Sequence, residues 1–479
     1  MAAEGTGGLM ADYLPHTDDE VAAMLAFLGL SDVGELFAAV PSALRLAGGL
    51  GLADGQPEPD VLAHLGAASR ANRAADLVCF AGAGAYEHEV PPVVQALAGR
   101  SEFVTAYTPY QPEVAQGVLQ ALFEYQTMVA RLAGLPIANA SLYDGASALV
   151  EAVNLGTAAS GRQAVWVSAG VHPHWRSCVR TFSHGSGHRI VEIPLTGGVT
   201  TWPDEASSAT GVTAEPTGVT AEPPGVVVVA YPNYLGCLED LSAVRRLADA
   251  HGATMVVAAD PVAAGILRSG GEWGADVVVG EGQAFGTPLS FGGPYLGLFC
   301  CAAAQVRRLP GRLVGETVDA DGRRAYVTTL RAREQDIRRE KATSNVCTNQ
   351  TLMAVTAAVQ LGWLGTAGLA EVATRCARGT RYLREAASEI AGISPLTGRT
   401  PVVRELALRT AVPARTVVDR MAAEGFLAGV ALADLVGDDG DGSVDADAAA
   451  HGLLVAVTER RTVAEIDGYV LALDKAVRR

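Results

Sequence analysis

Lysine is almost missing from this 479-residue chain: Lys341 and Lys475 are the only two. Any chemistry that needs a primary amine, such as condensation with an aldehyde, is left with those two candidates. Charge is scarce as well, at 18% of residues, and it sums to −16. That balance excludes a nucleic-acid binder, which needs clustered Lys and Arg against phosphate, and it is the surface a soluble enzyme carries. Seven cysteines, at 79, 178, 237, 300, 301, 347 and 376, include no CxxC pair and no histidine at ligand spacing. No metal centre is expected, and free thiols in a reducing compartment are. No apolar run approaches the roughly 20 residues of a membrane span. Residues 1–8, uncharged apart from Glu4, do not resemble a signal peptide. A cytoplasmic protein with no membrane partner is expected. The P-loop, the GxSxG elbow and HExxH are absent, and Gly280-Glu281-Gly282 is not continued as a dinucleotide fingerprint.

Hydrophobic residues make up 49% of the chain, ample material for a large core. Thr17 followed by Glu20 forms a capping box, and Val21, Met24, Leu25 and Leu28 fall on one helical face. Further helices, broken by turns such as Gly82-Ala83-Gly84, make 1–111 a helical N-terminal region whose apolar stripes are core. From 112 the pattern changes. An amphipathic helix at 112–132 leads into short β-branched runs at 164–168, 226–230, 254–259, 276–280 and 295–299, alternating with helices such as 241–250. This predicts βαβ units and a mostly parallel sheet across 112–349. The unbroken valine run at 226–229 suits a strand buried on both faces. Residues 210–223 repeat Thr-Gly-Val-Thr-Ala-Glu-Pro twice, which cannot build core and reads as a surface loop. Helices to Leu364 and across 369–391, strands at 402–408 and 452–457, and a helix at 414–424 predict a small α/β C-terminal domain over 350–479. Gly365 can end the first of these helices, and a glycine-aspartate turn falls at 437–442.

Together these features give the plan of a fold-type I pyridoxal phosphate enzyme, an α/β transferase-like fold, with one part missing. Such an enzyme needs a phosphate cradle, a group to stack on the ring, a carboxylate for the pyridine nitrogen and a lysine. Asp144, Gly145, Ala146 and Ser147 turn into a helix whose free N–H groups suit a phosphate. An ordinary helix cap uses the same small residues. His172 follows the 164–168 strand and Asp260 ends the 254–259 strand, where parallel sheets bind ligands. His172 holding a loop and Asp260 starting a turn before Pro261 are the simpler alternatives. The lysine belongs after the next strand, and there the chain has Gln283, which cannot condense with an aldehyde. Lys341 and Lys475 lie far along the chain from that position. The lysine census therefore argues against a stand-alone pyridoxal phosphate enzyme.

Several long strings, in order, resemble subunit 1 of the glycine cleavage system P-protein, glycine decarboxylase. They include Gly82-Ala83-Gly84-Ala85-Tyr86, 103–113 with its Tyr107-Thr108-Pro109-Tyr110 centre, and Ala121-Leu122-Phe123-Glu124-Tyr125-Gln126. Gly280-Glu281-Gly282-Gln283, Pro288-Leu289-Ser290-Phe291-Gly292-Gly293-Pro294, Gly315-Glu316-Thr317-Val318-Asp319 and Arg338-Arg339-Glu340-Lys341-Ala342-Thr343-Ser344-Asn345 complete the set. The resemblance runs from about Tyr13 to the C-terminus.

The resemblance implies a two-subunit enzyme of the oxidoreductase class, inactive as this chain alone. Pyridoxal phosphate would sit on the lysine of the partner, subunit 2. The site on this chain would be degenerate and hold no covalent cofactor. Glycine would lose CO2, and its aminomethyl carbon would pass to the lipoyl group of the H-protein. Tyr86, His88, Tyr107 and Tyr110 are the groups expected to line the partner's site. The cationic run Arg331, Arg333, Arg338, Arg339 and Lys341 is a candidate face for the acidic carrier, with Arg338, Arg339 and Lys341 at its centre. A solvated helix face is the plain alternative. Where the family carries His before Ile-Arg-Arg-Glu-Lys this chain has Asp336, which leaves room for a complex acting on another amino acid. A purely structural scaffold is the third reading.

Overall fold

The computed structural model describes residues 16–46, 51–105, 108–203 and 222–478. Tyr107 and residues 210–221 of the tandem repeat lie outside them. The chain divides into two compact units, 1–76 and 77–479. In the first, α1 (Asp18–Leu28) opens on the capping box: Glu20 N–H donates to Thr17 Oγ1 at 3.3 Å and Thr17 N–H to Glu20 Oε2 at 2.8 Å. α2 (Glu58–Ala71) follows. Neither helix buries a residue, and Met24, Phe27 and Leu28 are exposed. The stripe expected as core is covered only in part: Val21 and Leu25 are half-buried, while Met24 and Leu28 are exposed.

The second unit is built on a seven-stranded sheet. Its strands are β1 (Ile137–Ala138), β2 (Ala164–Ser168), β3 (Arg189–Ile193), β4 (Val226–Tyr231), β5 (Thr254–Ala259), β6 (Val277–Glu281) and β7 (Gly297–Cys301), in the order β1-β7-β6-β5-β4-β2-β3. β2 through β6 run parallel, and β7 is antiparallel to both its neighbours. The covering helices include α3 (Gln116–Ala133), α4 (Gly145–Ser160), α5 (Pro173–Ser186) and α6 (Leu241–His251). Side chains alternate across a strand, so the valine run feeds two cores at once. Val227 and Val229 join Leu119 and Leu122 of α3 and Val244 of α6. Val226 and Val228 join Leu149 and Val153 of α4 and Val179 of α5. Each such valine contributes roughly 1.5–3 kcal/mol by burial, which fixes the strand register.

After the hairpin β8 (Leu313–Val318) and β9 (Arg324–Thr329) comes α7 (Thr351–Ala387), of 37 residues. By length and composition α7 could cross a membrane. It breaks at Gly365 (φ 61°, ψ −176°) and buries Ala354, Val355, Leu361, Leu369 and Leu383, as a core helix does. The C-terminal sheet is β10 (Ile393–Pro395), β11 (Glu405–Thr410), β12 (Val430–Ala431) and β13 (Gly452–Ala456), in the order β10-β11-β13-β12, packed on α8 (Ala414–Ala423) and α9 (Val463–Arg478). Residues 77–111, grouped on sequence with the N-terminal helices, belong to this unit: Val78–Cys79 pairs in parallel with Phe426–Leu427.

The glycine-aspartate turn has a structural task. Arg176 of α5, 2% exposed, forms ion pairs with Glu192 on β3 and with Asp441 in the turn. Asp441 also accepts from Ser443 N–H at 2.8 Å. Asp441→Ala leaves a buried guanidinium with one carboxylate fewer and is expected to cost about 3 kcal/mol. Urea unfolding measures this, and a loss under about 1 kcal/mol would show that the turn is held by something else.

Candidate functional site

A cavity opens at the carboxyl ends of the parallel strands. Ala230 from β4, Ala259 and Asp260 at the end of β5, and Glu281 from β6 line it, with His172, Trp175 and Arg404. Strand ends leave their last backbone groups unpaired and concave, which is why ligands of parallel sheets gather there. The groups read from sequence as a cofactor site do converge on this region, and each already has a partner from within the chain.

The cradle comes first. Asp144 caps α4 by accepting from Ser147 N–H at 2.7 Å. The Gly145 N–H donates to Glu281 Oε2 at 2.9 Å. Glu281 also accepts from the N–H groups of Gln283 at 3.0 Å and Leu296 at 2.8 Å. Burial pushes its carboxyl up to about 7, even against those three hydrogen bonds. Trp175 packs so closely on Gly145 that a Cβ there would lie 2.3 Å from the indole. The helix start therefore faces a carboxylate and an aromatic ring.

Asp260 pairs with Arg404, Nε to Oδ2 at 2.7 Å, and its Oδ1 accepts from Val262 N–H at 2.9 Å. Arg404 is 5% exposed and stacks 3.5 Å above the Tyr86 ring. Its Nη1 donates to His88 Nε2 at 2.5 Å. A guanidinium can only donate, so Nε2 is the acceptor, and Nδ1–H donates to Glu459 Oε2 at 2.7 Å. The Tyr86 hydroxyl donates to Glu405 Oε2 at 2.6 Å, and Glu405 Oε1 accepts from Ala83 N–H at 2.7 Å. Burial lifts the Glu405 carboxyl to about 7 and holds the Tyr86 phenol protonated, as a donor.

Gln283, which the sequence reading placed where a lysine was expected, is 2% exposed. Its Oε1 accepts from Tyr86 N–H at 3.0 Å, while Nε2 donates to the carbonyls of Tyr86 at 3.1 Å and Thr287 at 2.7 Å. His172 caps α5: Nδ1 accepts from His174 N–H at 3.2 Å, so Nε2–H donates to Ala83 O at 2.9 Å. Burial lowers its pKa to about 4, which keeps the ring neutral. The segment 82–88 thus crosses the cavity, fastened to His172, Gln283, Arg404, Glu405 and Glu459.

The residues present do not fit a pyridoxal phosphate. A phosphate dianion at Gly145 would meet the Glu281 carboxyl, and a pyridinium at Asp260 would have to displace the buried Arg404. His88, Cys376 and Glu459 bring three metal-type donor atoms within 4.8 Å of one another. The guanidinium on His88 repels a cation there, and burial, reinforced by Glu459, keeps the Cys376 thiol protonated.

The other sequence-selected groups lie apart. Tyr86 and His88, expected to reach toward a partner, turn their polar tips inward and use them within the chain. Tyr110 is 45% exposed, with its ring beneath Arg312 and Arg331 at 5.1 and 5.3 Å. Arg338, Arg339 and Lys341 are exposed. Arg333, counted in the same cationic run, is buried and donates to Gly311 O at 3.1 Å, so it belongs to the framework. Asp336 pairs with Arg331 at 3.0 Å. Sequence reading gave no role to Trp175, Glu281, Arg404 or Glu405. The available signal was a pair of charges, Arg404-Glu405, at the edge of an apolar strand run, where charge survives only with a buried partner.

Comparison with known proteins gives the family. The family model of the glycine cleavage system P-protein matches residues 11–398. The protein named "Probable glycine dehydrogenase (decarboxylating) subunit 1" from Desulforamulus reducens is 43% identical over 456 residues, covering 95% of this chain and 97% of that one. Its namesake from Prosthecochloris aestuarii is 43% identical, covering 96% and 98%. Among solved structures, an inhibitor-bound glycine decarboxylase (P-protein) of the glycine cleavage system superposes with a TM-score of 0.83 at 42% identity, covering 97% of this chain and 100% of that one. A NifS-like protein from Rickettsia africae, at TM-score 0.58 and 11% identity, covering 84% of this chain and 100% of that one, shares the fold alone. The chain is a fold-type I protein, and it belongs to the glycine cleavage system P-protein family.

Proposed function

We propose that this chain is the cofactor-free half of a two-subunit glycine decarboxylase of the cytoplasm. The observation that carries the reading is Gln283, an amide pinned by three hydrogen bonds where the family's chemistry needs an amine. In support, the relatives of matching length are named as subunit 1. The pyridoxal phosphate belongs on the partner's lysine, where it supplies the electron sink for loss of CO2 from glycine. The aminomethyl carbon then goes to the lipoyl group of the H-protein. This chain's share is to complete the partner's pocket with Tyr110 and Tyr107. Its exposed Arg338, Arg339 and Lys341 offer a cationic face to the acidic carrier. The bare apolar side chains Met24, Phe27, Phe291 and Ile337 are the kind of surface a subunit covers.

The test is exchange of labelled CO2 into glycine by the purified chain, by the separate lysine-bearing subunit and by their mixture. Exchange by the mixture alone is expected, and exchange by this chain alone would overturn the reading. Exchange with another amino acid in place of glycine would support the specialised-pathway alternative. With partner saturating, Tyr110→Ala is expected to lower exchange about tenfold by loosening the pocket wall. Unchanged turnover would leave Tyr110 as a packing partner of Arg312 and Arg331.

A further inference from the structure

We infer that this chain refuses pyridoxal phosphate because two of its own side chains occupy the cofactor's charge positions: Glu281 stands where the phosphate would sit and Arg404 where the pyridinium would. The missing lysine is therefore not what keeps the cavity free of cofactor. The inference does not depend on how the chain pairs with a partner.

A bound cofactor would present an anion to the start of α4 and a cation to Asp260. The structure meets both demands internally. Gly145 N–H, which a phosphate would need, already donates to Glu281 Oε2 at 2.9 Å. Two further backbone N–H groups hold the Glu281 carboxyl in place from the side of β6 and β7, so it cannot swing aside without breaking three hydrogen bonds. Trp175 packs against Gly145 itself, the first residue of the helix. At the other end the Asp260–Arg404 pair is closed behind the Tyr86 ring and His88. Between the two, Gln283 is bonded at both ends of its amide to residues 86 and 287. Expelling either charge would leave a buried ion or three unsatisfied backbone donors, a cost an incoming ligand would have to exceed. Glu281 is the specificity-determining residue of the pair, because its carboxylate form sets like charge at close range against the phosphate.

The test titrates pyridoxal phosphate, and separately inorganic phosphate, into the full-length chain at a pH that ionises Glu281. Quenching of tryptophan fluorescence reads binding, and thermal melts check folding. Gln283→Lys alone is expected to bind no pyridoxal phosphate and to yield no adduct fixed by borohydride. Such an adduct would overturn the inference, since an amine would then suffice. Glu281→Ala is expected to bind inorganic phosphate at least about tenfold more tightly than the unsubstituted chain. Glu281→Gln keeps the shape and drops the charge, so it should show part of the same gain even where the alanine variant folds poorly. Phosphate affinity unchanged in folded Glu281→Gln and Glu281→Ala proteins would overturn the assignment of Glu281. The CO2 exchange assay reads the pairing with a partner separately, so failure of one reading leaves the other standing.

Discussion

Replacing Arg404 with leucine is expected to lower the unfolding free energy by about 3–5 kcal/mol, read as a shifted urea midpoint at unchanged slope. Three groups lose their partner together. Asp260 is left behind Tyr86 with the backbone N–H groups of Val262 and Ala263 to accept from and no cation. His88 Nε2 is left an unpaired buried acceptor. Tyr86 loses the guanidinium stacked at 3.5 Å. The first loss dominates, since an uncompensated buried charge costs more than a neutral hydrogen bond. Arg404→Lys should fall between, retaining the charge without the planar fork that reaches both Asp260 and His88. Removing both ions in Asp260→Leu/Arg404→Leu should recover much of the loss, because apolar replacement of a buried pair is often close to neutral. A single-variant loss under about 1 kcal/mol would show that the pair is hydrated and not buried as described.

The second large effect is a dependence of stability on pH. Glu281 and Glu405 are each carried from 4.5 to about 7 by burial, outweighing the hydrogen bonds to their carboxylates. A carboxyl whose folded value is raised holds its proton in the native state while the unfolded chain has released it. Its contribution to stability is complete below about pH 4.5 and is lost as pH rises through about 7. At about 1.4 kcal/mol per pH unit, each group makes a loss of about 3 kcal/mol across that window. His172, lowered to about 4, works in the opposite sense as pH falls below its ordinary value, so the raw profile is a sum of both. The difference between the unsubstituted chain and Glu405→Gln isolates one carboxyl. Denaturant unfolding at a series of pH values should show the variant gaining relative stability from pH 5 to 8. A flat difference would mean that Glu405 is ionised throughout.

The central sheet was legible because its signal is local. Strands β2 and β5 fall at the bounds read from their β-branched runs, since both faces are buried and no polar alternation blurs the ends. The break of α7 at Gly365 was visible for the same reason. Asp144, His172, Asp260 and Gln283 could be singled out because each stands at or just past a strand or helix end, where sequence order alone places candidate ligand groups. What fills the cavity was not legible. Arg404 meets Asp260 from the C-terminal sheet, and Glu281 looks like any acidic residue beside a glycine. Tyr86 and His88 sit in an aperiodic loop, where nothing in the sequence says which way a side chain turns.

The strap formed by 82–88 has a consequence for how the protein is made. Its fastenings are remote: Ala83 and Tyr86 bond to Glu405 over 322 and 319 residues, and His88 to Glu459 over 371. None of these partners exists while the ribosome is still translating the central sheet. At roughly 5–20 residues per second, synthesis leaves the strap with His172 and Gln283 but without its Glu405 and Glu459 anchors for tens of seconds after it emerges. The strap is therefore fastened in full only once Glu459, just past the final strand of the C-terminal sheet, has left the exit tunnel. Until Arg404 has emerged, Asp260 stands at the end of β5 without the ion-pair partner it has in the finished protein.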